Sequence, residues 1–531
     1  MRELTKQMSS WILGYSPLFL LSLLCLLLYL PALQHDFVAD DRVLIVENPY
    51  IKSWKYWPQM LGKDLWNISD PTNYWRPVLS TSFALDYSLW GLNPLGFHLI
   101  NILFHALNTV LLYLIAKRLL NATGAVFASL LFALHPIQAQ AVNLTSSRGD
   151  LLAAFFTLLS IQAFLSRKLI PFAITLMLAL LSKETSMVLP LAFLSAWFII
   201  QRDRKDLRLI LAFAILIIYL LVRISLGFSF SLIPLVFSYH ASTANRLLLV
   251  FKVLALYFRA LFNLFEMPHP FWTVEIPASL NDPYVISGIL ISGLLIAAIW
   301  RNLRKNPILA FGLMWFVIYF LPISNLKQLN QPMAEHWLYI PMIGLSLAFG
   351  TAIDALSLFR FSGARMVRLG VVTSVIVFLF FAGLVVREKT KIYQDGESFW
   401  LAAIRANPQV ARLYSILGST YLVKQDIPRA KEFYIKTLTL DPNDFTANYM
   451  LGFLVHQAGQ PSEAKRYLER VTQINPVLIW DFLTVAHAWE MLGDKQKALS
   501  YYRKALELSP DSAQTRQKVA TLENTLAPPS R

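Results

Sequence analysis

Two adjacent carboxylates, Asp40 and Asp41, follow closely on a long apolar run, 11–33. Neighbouring acids crowd negative charge, so one of them could serve as a base and the other as a metal ligand or an orienting acceptor. Other ionisable residues recur at the ends of later apolar runs: Arg76 in Tyr74-Trp75-Arg76-Pro77, His135 before Pro136, Arg148 and Asp150, Lys183 and Glu184, and Glu335 and His336. Charge near membrane depth is costly, so such residues pair with one another or line a cavity. Gathered on one side of a membrane, they describe a single cleft. A carboxylate there could act as a base, and Lys183-Glu184 could contact a phosphate. The plainer reading, a loop charge facing water, is adopted for Asp36. Lys183-Glu184 reads equally well as a bare ion pair.

The elements that must position these residues are membrane helices. Of 531 residues, 56% are hydrophobic and 15% charged, against roughly 25% charged in a soluble protein. The net charge of +15 does not indicate nucleic acid, because the basic residues sit in short clusters between apolar runs, as the positive-inside rule expects. Cys25 is the one cysteine, so no internal disulfide forms. The N-terminal run is too long for a signal peptide and reads as an uncleaved first span. Apolar stretches at 11–33, 97–116, 122–141, 150–166, 169–182, 186–201, 209–226, 284–300, 307–322, 338–355 and 368–386 predict about eleven spans. The stretch 246–265 contains Lys252 and Arg259 and is expected to be interfacial or re-entrant, its basic side chains reaching the headgroups. With Lys117-Arg118, Arg167-Lys168, 202–205, 301–305 and the loop of Arg360, Arg365 and Arg368 inside, the N-terminus is cytoplasmic and the C-terminus outside. The segment 45–75, rich in tryptophan and tyrosine, is expected as a helix lying on the outer surface. Three glycosylation-like triplets, at Asn67, Asn121 and Asn143, are attributed to chance.

Beyond the last span the pattern changes. Pro408, Pro442, Pro476 and Pro510 are each 34 residues apart, the tetratricopeptide period. Ala430, Ala464 and Ala498 keep the same register, Gly418 and Gly452 supply close-packing positions, and Tyr434, Leu468 and Tyr502 fill the large one. The expected organisation is a membrane domain, 1–390, with an outer first loop at 34–96, and a repeat domain, 391–531, with repeats at 411–444, 445–478 and 479–512 between capping helices. Such an array binds peptides or proteins and has no chemistry of its own. The fold class is all-α: a polytopic membrane helix bundle followed by a tetratricopeptide α-solenoid.

The motifs Phe37-Val38-Ala39-Asp40-Asp41 with Asn48-Pro49, Tyr74-Trp75-Arg76-Pro77, His135-Pro136, Ser147-Arg148-Gly149-Asp150-Leu151-Leu152, Ser182-Lys183-Glu184 and Ala334-Glu335-His336-Trp337-Leu338-Tyr339 occur in that order. Together with the repeats they resemble the transmembrane and tetratricopeptide-repeat O-mannosyltransferases, relatives of the protein O-mannosyltransferases in the GT-C superfamily. The resemblance implies a GT-C-like bundle, a polyprenyl-phosphate donor of a mannose-like hexose, and a Ser or Thr hydroxyl acceptor on the outer face. It implies a catalytic acid in the first outer loop, at Asp40 or Asp41, to activate the acceptor hydroxyl, the cations Arg76, Arg148 and Lys183 as candidate partners of the donor phosphate, and acceptor polypeptides held by the repeats. The sequence departs from the family pattern in three places. Gln138 and Gln140 stand where a histidine and a glutamate are usual, and His336 where an arginine is usual. No cofactor is required by the motifs. A divalent metal is compatible with them, although the departures count against one. They also motivate a different class of function, a membrane-anchored repeat scaffold for envelope proteins. A transporter is disfavoured, for no inverted repeat or broken midplane helix pair is visible.

Overall fold

In the computed structural model, the described residues are 2–66, 73–201, 206–228, 242–263, 270–277, 279–356, 364–473, 475–476, 479–510 and 512–526. The basic cluster 202–205, Arg360 and the triplet at Asn67 lie outside them. The chain divides into two compact units, the first ending at Asp395 and the second beginning at Gly396.

The first unit is a polytopic helix bundle. Ser16–Gln34, Pro94–Leu119, Thr145–Leu165, Leu207–Ser225, Pro283–Lys305 and Leu369–Lys391 are long and apolar enough to cross a membrane. Ala122–Leu134 and Pro136–Asn143 together make a further candidate, bent by 47°. The break falls where Pro136 has no N–H to continue the helix. Four shorter apolar helices, Leu169–Ser182, Glu184–Ile200, Pro307–Ile323 and Pro341–Leu356, occupy the remaining stretches. Local signals open several of these helices. Asn93, Asp282 and Asn306 each precede a proline, and their side chains accept from the first-turn N–H groups of Leu95, Tyr284 and Leu309.

Small residues let the helices touch. A Cβ on Gly312 would lie 2.5 Å from the carbonyl oxygen of Gly344, and one on Gly350 would lie 2.4 Å from that of Gly124. Pro341–Leu356 is thereby clamped between Pro307–Phe320 and Ala122–Leu134, the small-residue packing expected where no hydrophobic force drives helix association.

Two expectations change. Residues 45–75 do not form one helix. Short turns at Tyr50–Lys52 and Trp54–Tyr56 lead into a helix at Trp57–Gly62, interrupted because Pro49 and Pro58 remove backbone donors. A second helix, Pro77–Trp90, was not anticipated within the loop. The stretch 246–265 forms the helix Thr243–Phe262, which is not among those apolar enough to cross. Its basic side chains do not simply reach headgroups. Lys252 pairs at 2.8 Å with Asp282, and Arg259 donates to the Tyr284 hydroxyl at 2.6 Å. Pairing inside the fold offsets the cost of burying Lys252, while Arg259 is exposed.

The second unit is an α-solenoid. Helices pair as Ala411–Val423 with Ile427–Leu440, Phe445–Gln457 with Pro461–Thr472, and Ile479–Met491 with Lys495–Leu508, flanked by Gly396–Ala406 and Ala513–Leu526. The 34-residue register has a steric cause. A Cβ on Gly418 would lie 2.9 Å from the Tyr434 ring, and one on Gly452 would lie 2.7 Å from Leu468, while Ala430, Ala464 and Ala498 are fully buried.

Candidate functional site

Asp40 and Asp41 are adjacent in sequence but differ in exposure, Asp40 open to solvent and Asp41 buried. The preceding Ala39 has φ 48°, a left-handed conformation that a non-glycine residue rarely adopts and that is often found at functional sites. Asp41 is fully buried and accepts from the backbone N–H groups of Val38 at 3.4 Å, Thr145 at 3.3 Å and Ser146 at 2.6 Å. It ties the loop to the turn that opens the helix Arg148–Leu165. Asp40 makes no hydrogen bond with any described residue, and solvent reaches it. The walls of the cleft nonetheless displace enough water to push its pKa up to about 6, against the opposing pull of the Arg76 charge. Burial likewise raises Asp41 to about 6, opposed by its hydrogen bonds to Ser146 and its other backbone donors.

Beside Asp40 stands a pair of linked ion pairs. Glu184 accepts from Arg76 Nε at 2.8 Å and from the Trp75 backbone N–H at 3.2 Å, with Arg223 at 3.9 Å. Arg76 lies over the Tyr74 ring, 4.6 Å from its centroid. Its two terminal amino groups have no hydrogen-bond partner among the described residues, so they remain available for an anion. Lys183 reaches both oxygens of Asp150 at 2.6 Å. Lys183-Glu184 is therefore not one ion pair. The adjacent residues face different partners and hold Arg76 and Asp150 side by side.

Arg148 is placed elsewhere. Its side chain is wholly buried, with Nε donating to Asn101 Oδ1 at 2.8 Å, Nη2 to the Phe97 carbonyl at 2.9 Å and Nη1 against Asp86 at 2.5 Å. These contacts lock Pro77–Trp90 to Pro94–Leu119 and leave no open face for a phosphate, which corrects the expectation for this residue. His135 is likewise satisfied: Nδ1 accepts from the Ile137 N–H at 3.2 Å and Nε2 donates to the Leu261 carbonyl at 3.0 Å. Its role is to hold the bend.

Glu335 is buried and receives Lys389 Nζ at 3.0 Å on both oxygens. The next residue, His336, is held by Gln140, whose Oε1 lies 3.0 Å from its backbone N and 3.1 Å from its Nδ1. Gln138 is fully buried. Among the described residues no three His, Cys, Asp or Glu side chains converge as a metal-ligand set. The nearby acids Asp150 and Glu184 are already neutralised by cations, and Asp41 by backbone donors. Among the described residues the side chains do not fit a metal, and no step is derived through one.

The site thus brings Asp40, Arg76, Asp150, Lys183 and Glu184 together, with His336 close enough to feel the charges of Lys183 and Arg76. Sequence reasoning missed Lys389, Arg223, Asn101 and Asp86. The basic residue ending the last apolar run was a signal for Lys389, and a charge within a span was one for Arg223. Asp86, in an unanticipated helix, gave none.

The dolichyl-phosphate-mannose-protein mannosyltransferase family model matches residues 76–228, and tetratricopeptide models match 445–477 and 482–512. A protein O-mannosyl-transferase of Caenorhabditis elegans is 26% identical over 81% of this chain and 63% of its own length. One of Homo sapiens is 24% identical over 85% of this chain and 54% of its own, and one of Drosophila melanogaster is 36% identical over 31% and 21%. The chain thus spans less than two thirds of the length of these curated relatives. Among solved structures, ArnT from Cupriavidus metallidurans in the apo state superposes with a TM-score of 0.44 at 16% identity, over 76% of this chain and 81% of that one. The Archaeoglobus fulgidus oligosaccharyltransferase does so with a TM-score of 0.40 at 14% identity, over 76% and 59%. By sequence, this chain is similar over most of its length to proteins named protein O-mannosyl-transferases.

Proposed function

We propose that the chain is a GT-C-like membrane glycosyltransferase that moves a mannose-like hexose from a polyprenyl-phosphate donor to Ser or Thr hydroxyls of extracytoplasmic polypeptides. The observation that carries this reading is Asp40: an accessible carboxylate without a hydrogen-bond partner among the described residues, beside the open amino groups of Arg76. Asp40 takes the proton of the acceptor hydroxyl as its oxygen attacks the anomeric carbon of the sugar. The bond from that carbon to the phosphate oxygen breaks, and the polyprenyl phosphate leaves with the bonding electrons. Charge developing on the phosphate is met by Arg76 and by Lys183, both already fixed by carboxylate partners and needing little reorganisation. A pKa near 6 keeps Asp40 ionised at neutral pH yet basic enough to accept the proton. The repeats hold an extended acceptor chain and raise its concentration at the cleft.

The test is direct. Purified protein, polyprenyl-phosphate mannose and a Thr-containing peptide should give a peptide heavier by one hexose, and Asp40→Asn should abolish the gain while leaving the protein folded. Transfer at the wild-type rate by Asp40→Asn would move the base elsewhere. Intact masses of secreted proteins that do not change when the chain is deleted would favour a scaffold.

A further inference from the structure

His336 and Gln140 meet across 196 residues of sequence. The Gln140 amide is oriented by two constraints. The backbone N–H of His336, 3.0 Å from Oε1, can only donate, and the Pro270 carbonyl, 3.1 Å from Nε2, can only accept. Oε1 therefore faces the ring, and Nδ1, at 3.1 Å, must carry the hydrogen. In a neutral imidazole that leaves Nε2 as a bare acceptor. Nε2 has no hydrogen-bond partner among the described residues, and the side chain is only half-buried. Burial, and the positive charges of Lys183 and Arg76, hold the ring neutral, its pKa well below the ordinary histidine value.

An imidazole nitrogen in this state only accepts, so it does not recognise an anion; the group that fits it is a donor, and a hydroxyl is the donor that a sugar or a Ser or Thr side chain carries.

We propose that His336 Nε2 recognises a substrate hydroxyl, accepting its hydrogen bond, with Gln140 as the positioning residue that sets the tautomer. The assignment rests on the transferase reading, and the hydroxyl lies either on the donor sugar or on the acceptor side chain.

Two measurements test it. The first needs no substrate. Nitrogen-15 NMR of histidine-labelled protein, with His336 assigned through His336→Gln, should show hydrogen on Nδ1, and Gln140→Leu should abolish that preference. Hydrogen on Nε2 in the wild type overturns the proposal whether or not the protein transfers sugar. The second uses polyprenyl-phosphate mannose and a Thr peptide. His336→Leu should lower kcat/KM about tenfold, the usual scale for an unmade hydrogen bond. His336→Gln, whose amide oxygen accepts, should recover part of the loss, and His336→Arg should not. Weaker donor binding without peptide places the hydroxyl on the sugar. Unchanged donor binding with a loss confined to the acceptor kcat/KM places it on the peptide. Equal kcat/KM in wild type and His336→Leu overturns the proposal. A wild type that transfers nothing, with the tautomer as expected, instead removes the transferase reading and this hydroxyl with it.

Discussion

The Asp41 carboxylate accepts from the Ser146 backbone N–H at 2.6 Å, while Asp40, one residue earlier, has no hydrogen-bond partner among the described residues. The two acids therefore separate into a structural one and a reactive one. Asp41→Asn places an amide donor against backbone N–H groups and loses charge-assisted hydrogen bonds worth about 1.5–3 kcal/mol. It should lower the melting temperature in detergent. Asp40→Asn should not, although it abolishes transfer. An Asp41→Asn protein that melts like wild type would return both acids to equal standing.

The pH dependence follows from Asp40. Its folded pKa, about 6, lies above the ordinary 3.8. A raised carboxylate pKa adds stability that is present below about pH 4 and is lost as pH rises through about 6. At neutral pH the ionised Asp40 thus costs the fold something, and the base is available only there. Transfer should fall toward acid with a midpoint near pH 6, provided chemistry limits the rate. Asp40→Asn should melt above wild type at pH 8 and level with it near pH 4. The opposite order at pH 8 would contradict the environment assigned to Asp40.

The three cations separate in the same way. Arg76→Ala should weaken donor binding by about 1.5–3 kcal/mol, as for loss of a charge-assisted hydrogen bond; Lys183→Ala should also weaken it, and should destabilise the fold as well, because it leaves the buried Asp150 without its cation. Arg148→Ala leaves Asp86 buried without its cation, a loss on the order of 3–5 kcal/mol of stability. It should appear as poor folding rather than as weak binding. Donor titration beside thermal melting distinguishes these outcomes, and unchanged donor affinity for both Arg76→Ala and Lys183→Ala would remove the phosphate assignment.

Lys389 and Glu335 form a buried pair between the end of the last long apolar helix and the turn carrying His336. Lys389→Met should destabilise by about 3–5 kcal/mol, because the carboxylate stays buried and unpaired. The double variant Lys389→Met, Glu335→Gln should recover much of that loss. Additive losses in melting measurements would mean that the two side chains do not act as a pair.

What could be read in advance followed from periodicity and chemistry of type. The 34-residue register exposed the repeats because Gly418 and Gly452 have no space for a side chain. The motifs exposed Asp40, Arg76, Lys183 and Glu184 because charge beside apolar runs is expensive. Which acid is free could not be read, since that depends on the left-handed turn at Ala39 and on donors from Thr145 and Ser146. The true partners of Arg148 were hidden for a similar reason. Asp86 lies on a 14-residue helix inside what reads as a polar loop. Gln140 and His336 each stood out as departures, but only folding brings them together.

The sidedness of the repeats is the most exposed consequence of the span assignment. If each of the ten apolar segments between the first loop and Gly396 crosses, the four shorter ones included, and Thr243–Phe262 does not, the even number returns the chain to the side of Asp40. That helix is 20 residues long but carries Arg246, Lys252 and Arg259 within its apolar run and is not among the candidate spans; Lys252 and Arg259 are paired with partners at the start of the following span. Repeats that hold acceptor polypeptides are useful only where the catalytic loop can reach them. Cys25 is the one cysteine and is buried, so a Cys25→Ala background is silent toward thiol reagents. Single cysteines at the exposed positions Lys55 and Ser500 should both react with a membrane-impermeant maleimide in intact cells. Labelling at 55 alone, with 500 reacting only after permeabilisation, would put the repeats in the cytoplasm. It would make Thr243–Phe262 a span and deny the repeats any part in presenting the acceptor.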